Sequence, residues 1–157
     1  MPGAGKTFIG KKLSQHLDLV CIDVDTIIEK KYNLPLPRIV EKLGEEAFLD
    51  EEARYAISES AGKDNIVISP GGSIIYRETA MNHLKSASKI VYLKVPAEVL
   101  QERIARAPRA IVNVRKASFR DLFDERAPLY ERWGEIVIDG NRRHDAIVED
   151  IVQTLRL

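Results

Sequence analysis

The 157 residues suit one compact domain with its own core. Lys+Arg and Asp+Glu both number 24, so the formal charge is zero and no overall field draws the chain to nucleic acid or an anionic membrane. A single cysteine excludes an intrachain disulfide, and no Cys/His pair has zinc spacing.

Cys21 lies in the apolar run LDLVCID and reads as a small buried core residue. No apolar run is long enough to span a membrane. The first residues lack the charged-then-apolar plan of a signal peptide. A cytoplasmic monomer is expected.

In chain order, KTFIGKKLSQHL (6–17) places Phe8, Ile9, Leu13 and Leu17 near one stripe, and the spacing predicts a helix. LVCI (19–22) follows as a strand. Residues 45–61 begin acidic, which suits a helix N-terminus. IVIS (66–69) and IVYL (90–93) read as strands. Pro96 sits in a favoured first-turn position for a helix over 96–106. Residues 116–132 and 145–156 are amphipathic, with the strand EIVID (135–139) between them. These β-branched, wholly apolar strands suggest cover on both faces, as in a parallel sheet. Alternating strands and helices predict an α/β fold with right-handed crossovers in one domain, 1–157. The segment about 107–116 lacks clear periodicity and reads as a lid closing over a nucleotide.

MPGAGKT carries the end of the phosphate-loop pattern G-x-x-x-x-G-K-[ST] in Gly5, Lys6 and Thr7. Its first glycine would stand one position before Met1. Such a loop follows a strand that aims it at the phosphates, and no strand precedes this one. The expectation is an N-terminally truncated sequence, its missing central strand leaving a gap in the sheet. Roughly 5–10 upstream residues, mostly apolar and ending in glycine, would fill it.

In the loop, Gly3, Ala4 and Gly5 would turn backbone N–H groups towards phosphate oxygens, helped by the positive end of the helix through Phe8. Lys6 would reach the β- and γ-phosphates, and the Thr7 hydroxyl would ligate Mg²⁺. The plain alternative is a glycine-rich turn capping an ordinary helix. Asp23 and Asp25 stand at the carboxyl end of a strand, where open α/β sheets bind ligands. One can serve Mg²⁺, and the other can hold or deprotonate a substrate hydroxyl. Either can equally cap the next helix. Gly71 and Gly72 follow a buried strand and permit close approach of a ligand, or form a tight turn. Arg103, Arg106, Arg109, Arg115, Arg120 and Arg126 form a cluster suited to phosphate or carboxylate, or a solvated basic face.

The order of these signals resembles the shikimate kinase family, within the P-loop nucleoside-monophosphate-kinase-like group. The resemblance runs over nearly the whole chain. It rests on PGAGKTFIGKKL, DVDTIIE, GEEAFLDEE, ISPGGS, IVYLKVPAEVLQER, RAPLYER and IDGNRRHDAIVEDI. It implies a three-layer α/β/α P-loop kinase fold. It also implies transfer of a phosphoryl group from ATP to shikimate in aromatic amino-acid biosynthesis, with Mg²⁺. Lys6 and Thr7 then resemble the phosphate and metal residues, and Asp23 the metal-associated aspartate. Asp25 is similar to the aspartate that holds the substrate hydroxyls, and Gly71 and Gly72 to the turn that contacts substrate. Arg126 is similar to an arginine on the substrate carboxylate. Arg109 falls near the lid arginine that meets the transferring phosphate, with Lys6 and Asp25 as its catalytic companions. Arg103 and Arg143 resemble the pair around adenine.

Two departures lie on the substrate side. In the family pattern G-E-x-x-F-R-x-x-E, Gly44, Glu45, Phe48 and Glu52 match, but Leu49 stands at the arginine. Losing one charge-assisted hydrogen bond of roughly 1.5–3 kcal/mol weakens binding about tenfold to over a hundredfold. Arg54 points about 140° away along the helix and is a poor substitute. Glu52 then lacks its usual partner, and Ser73 replaces a third glycine. Two other readings remain at this point: a kinase of another small hydroxylated metabolite, favoured by Leu49, or a non-catalytic nucleotide-binding module. Tyr130 and Trp133 read as core, and His16, His83 and His144 show no catalytic arrangement.

Overall fold

The computed structural model of the protein describes residues 1–106 and 118–156. Four strands form: β1 (Val20–Asp23), β2 (Ile66–Ser69), β3 (Val91–Lys94) and β4 (Ile136–Asp139). Each lies within one residue of an apolar run, because β-branched side chains fit a pleated, covered surface. β1 pairs parallel to β2, from Val20 opposite Ile66 to Asp23 opposite Ser69. β3 pairs parallel to β4, from Val91 opposite Ile136 to Lys94 opposite Asp139. Among the described residues these are two separate ladders, and β2 does not bond to β3.

Eight helices are described: α1 (Lys6–Leu17), α2 (Val24–Tyr32), α3 (Leu36–Leu43), α4 (Glu45–Ser60), α5 (Glu78–Ala87), α6 (Ala97–Arg106), α7 (Phe119–Trp133) and α8 (His144–Leu155). A single 3₁₀ turn covers Ile74–Tyr76. Local chemistry sets the ends. Asp23 caps α2 by accepting from Thr26 N–H at 2.9 Å, and Ser118 caps α7 by accepting from Asp121 N–H at 3.2 Å. α3 and α5 are additions to the elements expected from the sequence, while α2 is the helix that Asp23 or Asp25 was expected to cap.

The core gathers Ile9, Ile28, Ile39, Leu49, Leu100 and Ile151 from six helices, with Tyr92 and Ile138 from the strands. Tyr130 and Trp133 are buried in it, as expected. Full cover of the strands is corrected at two positions, since Val20 is 63% and Val137 is 53% exposed. Cys21 is likewise half-buried rather than buried. Cys21 lines a surface groove with Lys11, Thr26, Lys30 and Ile66 of β2.

Candidate active site

The phosphate loop is built by backbone conformation. Gly3 and Gly5 take φ of 77° and 94°, a left-handed region that glycine enters without steric cost. Gly5 is the N-cap residue of α1, so the helix opens directly out of the loop. Gly3 also approaches α6 closely: a Cβ there would lie 3.2 Å from Ile104 Cγ1. Ala4 is buried, and its N–H donates to the Met1 carbonyl at 3.3 Å. Lys6 Nζ donates to the same carbonyl, also at 3.3 Å. Thr7 is half-buried in the first turn of α1. Phe8 is 48% exposed, its ring 4.4 Å from that of His144.

Arg103 ties this loop to the far side of the fold. Its guanidinium donates to the carbonyls of Gly3 and Gly140 at 3.4–3.5 Å and to Asn141 Oδ1 at 3.4 Å. Arg143 is the N-cap residue of α8, in the same β4–α8 connection. Loop, α6 and β4–α8 connection thus meet. Arg109, Arg115 and the lid segment lie outside the described residues. The other clustered arginines separate. Arg106 and Arg120 make exposed ion pairs with Glu102 and with Glu98 and Asp124, while Arg126 turns inward.

A second cluster joins α2, α4, the turn after β2, and α7. Gly71 is packed against two carboxylates: a Cβ there would lie 2.0 Å from Glu52 Oε1 and 2.8 Å from Asp25 Oδ1. Gly72 touches the phosphate loop, since a Cβ there would lie 3.3 Å from Pro2 Cδ. Tyr130 Oη donates to the Gly72 carbonyl. Arg126 is 1% exposed. Its Nε donates to Tyr76 Oη at 3.1 Å, and Tyr76 Oη donates to Glu125. Leu49 packs in the core at 1% exposure. Arg54 is engaged with Glu51 and lies over the Tyr55 ring, so it offers no substitute.

Asp23 uses one oxygen for the α2 cap, and Asp25 lies in the first turn of that helix. Of the two aspartates, Asp23 is thus the one that caps α2.

Sequence reasoning did not foresee the role of Ser73. Its Oγ donates to Glu52 Oε2 at 2.5 Å, inside the fold. Glu52 is fully buried, and its Oε1 has no hydrogen-bond partner among the described residues. Burial pushes the Glu52 carboxyl up to about 7; the Ser73 bond opposes the rise, nearby Asp25 adds to it, and Lys6 and Arg126 oppose it. Tyr130 is pushed up by burial, and Tyr76 by burial and by its bond to Glu125. The departures at 49 and 73 were visible as letters, but not the bond one of them makes.

Elements spread over the chain therefore place a phosphate loop against a buried arginine, an aspartate and a glycine turn. Residues 2–156 match the family model for shikimate kinase. The chain belongs to the shikimate kinase family. It is 33% identical over 155 residues to a shikimate kinase of Aquifex aeolicus, covering 97% of this chain and 90% of that one. It is 37% identical over 157 residues to one of Francisella tularensis subsp. holarctica, covering 98% and 87%. The fold is similar to that of shikimate kinase from Acinetobacter baumannii in complex with shikimate. That likeness has a TM-score of 0.86 and 29% identity over 99% of this chain and 88% of that one. The Bacteroides thetaiotaomicron shikimate kinase gives 0.83 and 26%, over 99% and 94%. The expected α/β P-loop kinase fold and phosphotransferase class are those of this family.

Proposed function

We propose that this chain transfers the γ-phosphoryl group of ATP to a hydroxyl of shikimate, giving ADP and shikimate 3-phosphate. The observation that carries this reading is the contact of the Gly71–Gly72 turn with both halves of the site. Gly71 lies against Asp25, and Gly72 lies against Pro2 of the phosphate loop and Tyr130 of α7. Lys6 and Arg126 both act on Glu52, directly beneath that turn.

Lys6 would hold the β- and γ-phosphates, with Gly3, Ala4, Gly5 and Phe8 shaping the loop and Arg103 and Arg143 flanking the base. Arg126 would pair with the acceptor carboxylate, and Gly71 and Gly72 would let the ring approach. Asp25 would orient the attacking hydroxyl and take its proton as the new O–P bond forms. The bond to the β–γ bridging oxygen breaks, and ADP leaves. Arg109 would steady charge on the moving group. Catalysis of this kind is positioning plus electrostatics.

Thr7 and Asp23 would hold Mg²⁺, which when bound neutralises phosphate charge. Both present oxygen donors, which a hard cation prefers. Among the described residues no group of three or more His, Cys, Asp or Glu could hold a metal. Phosphate oxygens and water would therefore complete the shell. Among the described residues no helix is long and apolar enough to cross a membrane. The same reading has the enzyme acting as a cytoplasmic monomer on small molecules, and light scattering on the purified protein checks the oligomeric state.

The deciding experiment follows ADP release with and without shikimate. Shikimate-dependent release is expected. ATP binding without release would reject shikimate and direct attention to acceptors lacking the carboxylate.

A further inference from the structure

Among the described residues Glu52 is the one carboxylate at zero exposure. Its Oε2 accepts from Ser73 Oγ at 2.5 Å, while its Oε1 is unpartnered. That Oε1 and Asp25 Oδ1 crowd one point beneath the turn, the place a Gly71 Cβ would take, at 2.0 and 2.8 Å. A buried carboxylate oxygen without a donor is costly. A proton on Oε1 turns that oxygen into a donor, and the Ser73 bond to Oε2 is kept.

Charged and titratable groups meet Glu52 from each element around it. Lys6 of α1 and Arg126 of α7 favour its charged form, and Asp25 of α2 opposes it. Tyr130 of α7 also lies within its field. Ser73 of the turn supplies the one hydrogen bond. Burial sets the balance, holding the carboxyl at about 7. Anions at Lys6 and Arg126 would cancel the two cations that keep it charged, and the proton would then bind more tightly.

We propose that Glu52 is a positioning residue of the acceptor site: it takes up one proton from solvent as the acceptor binds, and its Oε1–H then holds the Asp25 carboxylate beside the Gly71 turn. The inference rests on the reading of the acceptor as a hydroxy acid held by Asp25 and Arg126.

The test titrates shikimate into the MgADP-loaded protein by calorimetry, in buffers of different ionisation enthalpy, from pH 6 to pH 8. In the unaltered protein, proton uptake should approach one per shikimate at the upper end. Affinity should fall about tenfold across the range, as expected when a group titrating near 7 must be protonated. Glu52→Gln keeps an acceptor for Ser73 and should show no uptake and a flat profile. Ser73→Ala, which removes a bond favouring the charged form, should move the midpoint upward. In turnover, the KM for shikimate should carry the pH dependence, and kcat should not. Equal uptake and equal slopes in the unaltered protein and Glu52→Gln, with shikimate bound by both, overturn the proposal and leave the kinase reading intact. Should Glu52→Gln not fold, an unmoved midpoint in Ser73→Ala overturns it. Neither binding nor turnover of shikimate in the unaltered protein overturns the kinase reading and this proposal together.

Discussion

On the nucleotide side, Lys6 and Arg103 send their charges to backbone carbonyls of loops, at 3.3 Å and 3.4–3.5 Å. On the acceptor side, Arg126 and Glu52 are sealed at 1% and 0% exposure among side chains of other elements. The first arrangement suits a highly charged ligand that brings its own counter-ion and solvent. Its cations are only half-buried, although Lys6 also acts on Glu52 through space. The second places charge where water cannot screen it, so each group there supports the fold and the site at once. Substitution on the first side should therefore remove activity at a smaller cost in stability. On the second side it should affect both.

Lys6→Met gives the largest expected effect. Shikimate-dependent ADP release should fall by about 10²–10³ or more, as for loss of one preorganised electrostatic donor. The melting temperature should fall less than in Arg126→Met, because Lys6 is only half-buried, and a larger fall would break the comparison. Arg126→Met comes next. The KM for shikimate should rise roughly tenfold to a hundredfold, from loss of about 1.5–3 kcal/mol of charge-assisted bonding. Its melt should also drop, because Arg126 is buried at 1% exposure and its bond to Tyr76 is lost. An unchanged melt would show that Arg126 is not structural.

The pH dependence of stability sharpens the contrast. The folded value for Glu52 is about 7, above the ordinary 4.5. Its contribution is therefore complete below about pH 4.5 and is lost as pH rises through 7. Relative to Glu52→Gln, the unaltered protein should lose at most roughly 3 kcal/mol across that window. Chemical denaturation of both proteins at several pH values measures it, and parallel curves would refute the assignment. The smallest effect is expected at Ser118→Ala. Loss of the α7 cap should cost about 1 kcal/mol in the same denaturation experiment and leave KM unchanged.

Much of the fold was legible in local chemistry. The apolar runs at 66–69 and 135–139 became β2 and β4 because wholly apolar β-branched segments have few other stable fates. Helix α1 begins and ends where its stripe and phosphate loop indicate. α3 and α5 escaped notice because they are short, at eight and ten residues, and no phosphate-loop or strand-end motif marks their start. Half of the site was legible for the same reason. A phosphate loop is contiguous, and Lys6 and Thr7 are named by their neighbours. By spacing alone Arg126 was one arginine among six, and only the family resemblance of RAPLYER set it apart from exposed Arg106 or Arg120. Its burial comes from α7 packing against the Tyr76 turn.

By itself, then, the sequence determined the alternation of strands and helices, the phosphate loop, and the family to which the chain belongs. Those features depend on residues close in the chain, where backbone propensity and short-range bonding act. Tertiary structure alone decided that Ser73 binds Glu52 across 21 positions, that Glu52 Oε1 is left without a donor, and that Gly72 meets Pro2. Such partners are chosen by how elements pack, and packing joins residues whose separation along the chain carries no signal.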